Sequence, residues 1–344
     1  MRRRIALTGP LSVADYMAAC VADPDGYYAR QKPFGVEGDF VTAPEISQMF
    51  GELIGAFLTD RWQADGAPSP VDLCELGPGR GTLMADALSV MGRAEDLLSA
   101  SRLVLVEVSD KLAALQRQRL APLHPRLSFA ARPPEGRPLY LVANEFFDAL
   151  PIRQFVSREG RWFERTVGLV DGALAFGLSP FPSPLKAEAP DGAVKEVCPA
   201  AEALVAEIAR TLVAAQKGAA LIVDYGHTGG AGSETLQAVR DHRPVGVLEA
   251  PGAVDLSAHV DFSALAAAAR REGAFVHGPV GQGTFLLALG LLERAGALGA
   301  SASAHERQAI EAAVHRLAGE GAGEMGTLFK VICITPGATP PPGF

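Results

Sequence analysis

The stretch Glu75-Leu76-Gly77-Pro78-Gly79-Arg80-Gly81-Thr82-Leu83 limits the fold more than any other part of the chain. An apolar run carrying Val71, Leu73 and Leu76 meets an acidic residue and three alternate glycines, and a helical pattern follows from Thr82 to Met91. Glycine admits backbone angles closed to other residues and lets a ligand touch the main chain. The pattern predicts a strand that stops, turns tightly and opens a helix. Such a turn is the floor of a nucleotide-like cofactor site.

The rest of the pattern is built around that turn. Leu103 to Val108 reads as a second strand, Asp110 to Leu120 as a helix, Leu127 to Phe129 as a weak third strand, and Leu139 to Ala143 as a fourth. Ala200 to Ala215 is a helix and Ala219 to Val223 a fifth strand. A helix at Phe262 to Arg271 and a strand at Ala274 to Val280 come next. Two helices near Thr284–Leu298 and Ala304–Leu317 precede the last strand, Leu328 to Ile334. Alternating strands and helices predict a doubly wound α/β sheet. The final section is set to close it as an antiparallel hairpin.

Upstream, residues 11–22 have helical periodicity. Asp23 to Gly26 marks a turn, Tyr27-Tyr28 follows, and Arg30 to Asp39 is a polar loop. A further helix is predicted from an N-cap at Thr42, with Pro44 and Glu45 in its first turn, running to Trp62. Alternating apolar positions from Arg153 to Leu178, around Arg158-Glu159-Gly160 and Asp171-Gly172, predict an inserted β-meander. Pro180 to Pro190 reads as a loop, Thr228 to Asp261 as a loop-rich insertion, and Pro336 to Phe344 as a loose tail.

Composition narrows the class. The 344 residues are 48% hydrophobic and 20% charged, an ordinary soluble balance. A net charge of −8 argues against general nucleic-acid binding, which needs a basic face. The four cysteines, Cys20, Cys74, Cys198 and Cys333, form no CxxC, so neither a disulfide framework nor zinc is indicated. Cys74 and Cys333 lie in strand-like runs and are expected in the core. No secretory h-region follows the basic Met1 to Arg4, and no apolar run of about 18 residues spans a membrane. His124, His242, His277, His305 and His315 show no ligand spacing, and no metal is expected.

The turn separates two cofactors. A dinucleotide site wants GxGxxG, but here Thr82 stands where the third glycine belongs. The run is instead acidic-x-Gly-x-Gly-x-Gly. That spacing resembles the first motif of class I S-adenosylmethionine-dependent methyltransferases. A pyrophosphate seeks a helix N-terminus without a carboxylate beside it, whereas S-adenosyl-L-methionine carries an ammonium and a sulfonium that Glu75 can favour. Glu107, 28 residues after Gly79 at the end of the second strand, can accept hydrogen bonds from both ribose hydroxyls. The expected cofactor set is Glu75, Gly77, Pro78, Gly79, Gly81, Glu107 and Asn144.

Several further stretches add specificity: Gly38 to Gln48, Asn144-Glu145-Phe146-Phe147-Asp148-Ala149-Leu150-Pro151, Asp224-Tyr225-Gly226-His227, Gly252 to Phe262 and Met325 to Val331. In this order they resemble the MidA-like methyltransferases over residues 10 to 335, with Ser257 where that family's pattern has Thr. The resemblance implies a class I methyltransferase (Rossmann-like) fold. Residues 1–66 would form a helical extension or lid, and 67–335 the methyltransferase domain, with insertions at 153–190 and 228–261. The family includes a mitochondrial protein arginine methyltransferase of complex I assembly. The implied substrate is therefore an arginine on a 49-kDa-type complex I subunit. The bacterial-looking composition implies a cytoplasmic setting.

An arginine acceptor is cationic at neutral pH, so carboxylates must hold its guanidinium and take up the proton. The loop after the fourth strand offers Glu145 and Asp148 with Phe146 and Phe147 between them. These aromatics can wall a channel or stack on a guanidinium. Glu45, in a segment that would lid the cofactor, is another candidate, and His227 can relay a proton. A small-molecule methyltransferase and a non-catalytic assembly chaperone on the same fold remain alternatives.

Overall fold

The computed structural model describes residues 1–21, 42–186, 188–229, 234–240 and 243–344. The Asp23–Gly26 turn, Tyr27-Tyr28, the Arg30–Asp39 loop, His242 and the Gly38–Val41 part of the family-like stretch lie outside the described residues. The chain divides into two units. The smaller holds Met1–Phe40, Asp148–Ala203 and His227–Asp261, and the larger holds Val41–Phe147, Leu204–Gly226 and Phe262–Phe344. The expected 1–66 extension is therefore shared between the two units, because its second half packs into the larger core.

The larger unit opens with helices α1 (Ala43–Ile46) and α2 (Gln48–Ala64). One continuous helix was expected from Thr42. Ser47 breaks it: its backbone is extended (φ −161°), and its hydroxyl accepts from Met49 N as the cap of α2. Strand β1 (Val71–Leu76) and helix α3 (Thr82–Met91) flank the glycine turn as the pattern requires. Strand β2 (Ser101–Val106), helix α4 (Asp110–Leu120), strand β3 (Leu127–Ala130), strand β4 (Leu139–Asn144) and strand β5 (Gly218–His227) follow. Then come helix α5 (Phe262–Arg271) and strand β6 (Phe275–Gly281).

Helices α6 (Gln282–Ala288), α7 (Leu291–Gly299) and α8 (Ala304–Ala318) lead to strand β7 (Phe329–Thr335). Two helices were expected where α6 to α8 stand. Gly290, at φ +92°, divides the first of them.

Spatial order in the sheet is β6-β7-β5-β4-β1-β2-β3. The β5–β4, β4–β1, β1–β2 and β2–β3 pairs are parallel. β7 is antiparallel to both β5 and β6, which closes the sheet with the expected hairpin. Every residue of β1 and β4 is buried, as a parallel sheet covered on both faces requires. The order reverses between β4 and β1. Ligands of doubly wound sheets bind at such a switch point, outside the carboxyl ends of the strands.

Helices α2 and α3 approach unusually closely. A Cβ on Gly51 would lie 2.6 Å from Asp86 Cβ, and one on Gly55 would lie 2.6 Å from the Ala87 carbonyl oxygen and 2.7 Å from its Cα. Gly55→Ala gains up to about 1 kcal/mol of helix propensity. It forces a backbone clash costing about 1–3 kcal/mol. The clash outweighs the propensity gain, so urea unfolding is expected to show a net loss of up to about 2 kcal/mol. A stabilised variant would refute the close packing.

The tail is ordered by its last residue. The Phe344 ring lies 5.3 Å from Phe285 and 6.4 Å from Phe57, in place of the loose segment expected. Cys74 and Cys333 are buried in the sheet, as expected, and burial pushes both thiols up.

In the smaller unit the meander is present. Strands Arg153–Arg158, Arg161–Val170 and Ala173–Pro182 are joined by turns at Glu159-Gly160 and Asp171-Gly172, all four at positive φ, the hairpin geometry that matches strand twist. Leu11–Ser12 and Val194–Val197 complete the sheet. The 228–261 insertion is more regular than expected. It contains a three-stranded sheet of Gln237–Arg240, Arg243–Val245 and Asp255–Ser257. Glu196 organises it by accepting from Gln154 Nε2 (2.7 Å), Thr235 N (3.0 Å) and Leu236 N (3.2 Å). Among the described residues no helix is long and apolar enough to cross a membrane.

Candidate active site

The carboxyl ends of β1, β2, β4 and β5 bring the site residues of the larger unit together. Strand β1 carries two buried acids with different fates. Asp72 accepts both prongs of Arg102, at 2.9 and 3.0 Å, so its charge is matched. Glu75 lies one residue before the end of the strand, and its buried Oε2 has no hydrogen-bond partner among the described residues. Burial, and then the charge of Glu107, push its carboxyl up to about 8. A buried acid left without a partner disfavours folding, so this oxygen is a place where a cation would be welcome.

The turn after Glu75 is a left-handed cradle. Gly77, Gly79 and Gly81 take φ values of +60°, +51° and +75°. Gly77 N donates to Val106 O (3.0 Å), and Gly81 N donates to Pro78 O (2.7 Å). Any Cβ at Gly77 would sit 2.7 Å from the Phe146 ring, so glycine is needed for space as well as for angle.

Glu107 follows β2 and is held at both oxygens. Oε1 accepts from Ser109 N (2.8 Å), and Oε2 accepts from Gln116 Nε2 (2.9 Å). The same Gln116 nitrogen donates to Gly79 O (2.7 Å). Gln116 was not anticipated. A signal existed, since Leu112, Gln116 and Leu120 form the buried face of α4, and a polar residue interrupts an apolar stripe.

After β4 the chain turns sharply. Asn144 Nδ2 donates to Glu145 Oε1 (3.1 Å), and Asn144 Oδ1, buried, has no hydrogen-bond partner among the described residues. Glu145 takes φ +50°, a strained conformation for a residue with a side chain, of the kind that collects at functional sites. Its Oε1 also accepts from Ala43 N (3.0 Å), the start of α1. Phe146 and Phe147 meet edge to face at 5.5 Å.

Asp224, buried in β5, fixes this loop from behind. Its Oδ2 accepts from Phe147 N (2.9 Å) and Phe146 N (3.2 Å), and its Oδ1 from Tyr225 N (2.9 Å). The sequence places Asp224 at the strand end but does not reveal this anchoring.

Glu45 lies in α1 with both oxygens engaged. Oε1 accepts from Thr82 Oγ1 (2.6 Å), and Oε2 pairs with Arg80 (3.5 Å). Arg119 also donates to Thr82 Oγ1. Glu45 thus ties the 43–46 segment to the glycine turn. Asp148 and His227 belong to the smaller unit. There the Asp148 carbonyl accepts from Ala258 N (2.9 Å), and His227 Nδ1 accepts from Gly229 N (3.2 Å). His259 of the same unit is held below the usual imidazole range by burial and then by His227.

Comparison with known proteins follows the same lines. A family model described as S-adenosyl-L-methionine-dependent methyltransferase matches residues 53–280. The mitochondrial protein arginine methyltransferase NDUFAF7 of Mus musculus is 39% identical over 320 residues, covering 84% of this chain and 72% of the mouse protein. Its Drosophila melanogaster homologue is 36% identical, covering 98% of this chain and 84% of the fly protein. A crystal structure of a Burkholderia thailandensis protein bound to S-adenosyl-homocysteine superposes with a TM-score of 0.86 at 30% identity, covering 99% of this chain and 92% of that one.

Proposed function

Since this chain belongs to the family of S-adenosyl-L-methionine-dependent methyltransferases, we propose that it is a protein arginine N-methyltransferase whose cofactor and acceptor meet at the carboxyl edge of the larger unit's sheet. The buried Glu75, with an oxygen that no described residue satisfies, carries the reading. Its neighbours suit the same ligand. The left-handed Gly77–Gly81 turn leaves room for close approach, with Pro78 shaping its bend, and Glu107 stands ready for ribose hydroxyls. Asn144 Oδ1 supplies a second unsatisfied acceptor for an ammonium.

When bound, the cofactor supplies an electrophilic methyl group on a sulfonium. The chain's own residues must then hold a nitrogen nucleophile in line and manage its charge. Glu145 is the acceptor-side carboxylate in this reading. Asn144 Nδ2 and Ala43 N steady its Oε1, and Asp224 fixes the backbone beyond it. A guanidinium beside that carboxylate would be oriented through charge-assisted hydrogen bonds; its nitrogen would take the methyl as the S–CH3 bond breaks, leaving a neutral thioether, and the displaced N–H proton would pass to the Glu145 carboxylate. Glu45 acts by holding α1 against the turn. The assignment rests on the larger unit alone, while Asp148 and His227 belong to the smaller one.

The resemblance to the MidA-like methyltransferases, together with the naming of the mouse and fly relatives, supports an arginine acceptor on a protein. We extend it to a 49-kDa-type subunit of respiratory complex I, met in the bacterial cytoplasm. Mass spectrometry of arginine methylation in strains with and without this chain tests the reading. At least one methylarginine is expected to vanish in the deleted strain, and an unchanged profile would refute it. In the purified protein, Glu145→Ala is expected to abolish transfer while cofactor affinity stays within a few fold. Loss of cofactor binding instead would move Glu145 to the cofactor side.

A further inference from the structure

The hydrogen-bond fork made by Gln116 joins two parts of the cofactor site that the chain keeps far apart. Gly79 belongs to the turn after β1, and Glu107 follows β2. One side-chain nitrogen reaches both, at 2.7 Å to Gly79 O and 2.9 Å to Glu107 Oε2. Ser109 N takes the other oxygen of Glu107 at 2.8 Å, so the carboxylate has little rotational freedom left. Gln116 itself is fully buried, and α4 holds it against the turn: a Cβ on Gly81 would lie 3.2 Å from Leu120 Cδ1 and 3.7 Å from Gln116 Cγ.

Helix α4 is in turn capped by Ser109 Oγ, which accepts from Leu112 N. The helix that carries Gln116 therefore starts from the same short loop that clamps Glu107. A glutamine in this place has a strong constraint on it. Its amide hydrogens serve a carbonyl and a carboxylate at once, and no apolar residue of equal size could do either.

We infer that Gln116 is a positioning residue for cofactor recognition, locking the Glu107 carboxylate in the orientation that receives the ribose hydroxyls and tying it to the glycine turn. The inference rests on the reading of Glu107 as the ribose ligand. A carboxylate already oriented binds two hydroxyls without first losing side-chain freedom, so the discrimination between a ribose and a deoxyribose depends on what holds Glu107. A residue that merely filled space would affect both ligands alike.

The test compares S-adenosyl-homocysteine with its 2′-deoxy analogue by calorimetry on the full chain. In the wild type, loss of the hydroxyl is expected to weaken binding about 10-fold or more, as for a hydrogen bond to a charged group. Gln116→Met keeps the volume and removes the donor, and the discrimination is expected to fall below about 3-fold. Gln116→Leu, which also has no donor to offer Glu107, is expected to do the same if the methionine variant folds poorly. If either folded variant keeps the wild-type ratio while both ligands weaken equally, the positioning role is refuted. Glu107→Gln run in parallel separates the two layers. Wild-type discrimination in that variant would overturn the ribose reading and this inference with it, whereas its loss there and retention at position 116 would overturn only the latter.

Discussion

Glu75→Gln is expected to weaken S-adenosyl-L-methionine binding on the order of 100-fold and to remove most of its pH dependence. The magnitude is that of removing a buried charge-assisted hydrogen bond, about 1.5–3 kcal/mol. Without ligand the Glu75 carboxyl is pushed up to about 8 by burial and then by Glu107, so at neutral pH it is mostly protonated. An ammonium beside it favours the carboxylate, and binding releases a proton. Affinity should therefore rise as pH climbs from about 6 and turn over near 8, where an α-amino group with a pKa of about 7.7–8.0 loses its own charge. Calorimetry in buffers of different ionisation enthalpy counts the proton. A glutamine variant with wild-type affinity and an unchanged pH profile would remove Glu75 from the site.

The same shift makes a second, opposite forecast. A group whose folded pKa lies above its unfolded value holds extra protons in the folded state between the two. Its contribution to stability is complete below the unfolded value, near 4.3, and is lost as pH rises through about 8. The ligand-free glutamine variant is therefore expected to melt higher than the wild type above pH 8, although it binds the cofactor worse.

Asp224→Ala is expected to lower the transfer rate about 100-fold and to cost about 3 kcal/mol or more of stability. Three backbone N–H groups, of Phe146, Phe147 and Tyr225, lose their acceptor. Each unsatisfied buried donor costs about 1–3 kcal/mol. The loop after β4 then settles elsewhere, and a displacement of about 1 Å at a reacting centre suffices for a loss of that size in rate. Cofactor affinity should stay within about 10-fold, because Glu75, the glycine turn and Glu107 do not depend on Asp224. Urea unfolding, single-turnover kinetics and calorimetry measure the three effects separately. A variant that keeps its rate but loses the cofactor would assign the 144–147 loop to the cofactor instead.

The turn at the centre of the candidate site was legible in the sequence because it is local. A strand, a tight turn and a helix are all made within Val71–Met91, and the need for positive φ writes itself as Gly77, Gly79 and Gly81. Glu107 was singled out as a candidate by its distance from that turn. The family-like stretches did the same for Asn144 and Glu145. Helix boundaries were legible where a cap marks them, as at Ser109. They were misread where a single residue breaks the pattern, as Ser47 and Gly290 do.

What the residues alone determined about this protein is the order of strands and helices, the glycine turn and a carboxylate on each side of it, since short-range sterics and periodicity act within a few residues. The tertiary structure decided which carboxylates are satisfied. Asp72 meets Arg102 across 30 positions, Asp224 meets the Phe146 and Phe147 amides across 78 and 77, and Gln116 meets Gly79 across 37. No local rule distinguishes Asp72 from Glu75, two acids on one buried strand. Only the folded sheet shows that one is paired with an arginine and that the other presents an oxygen no described residue satisfies, because burial and partnership are properties of neighbours in space.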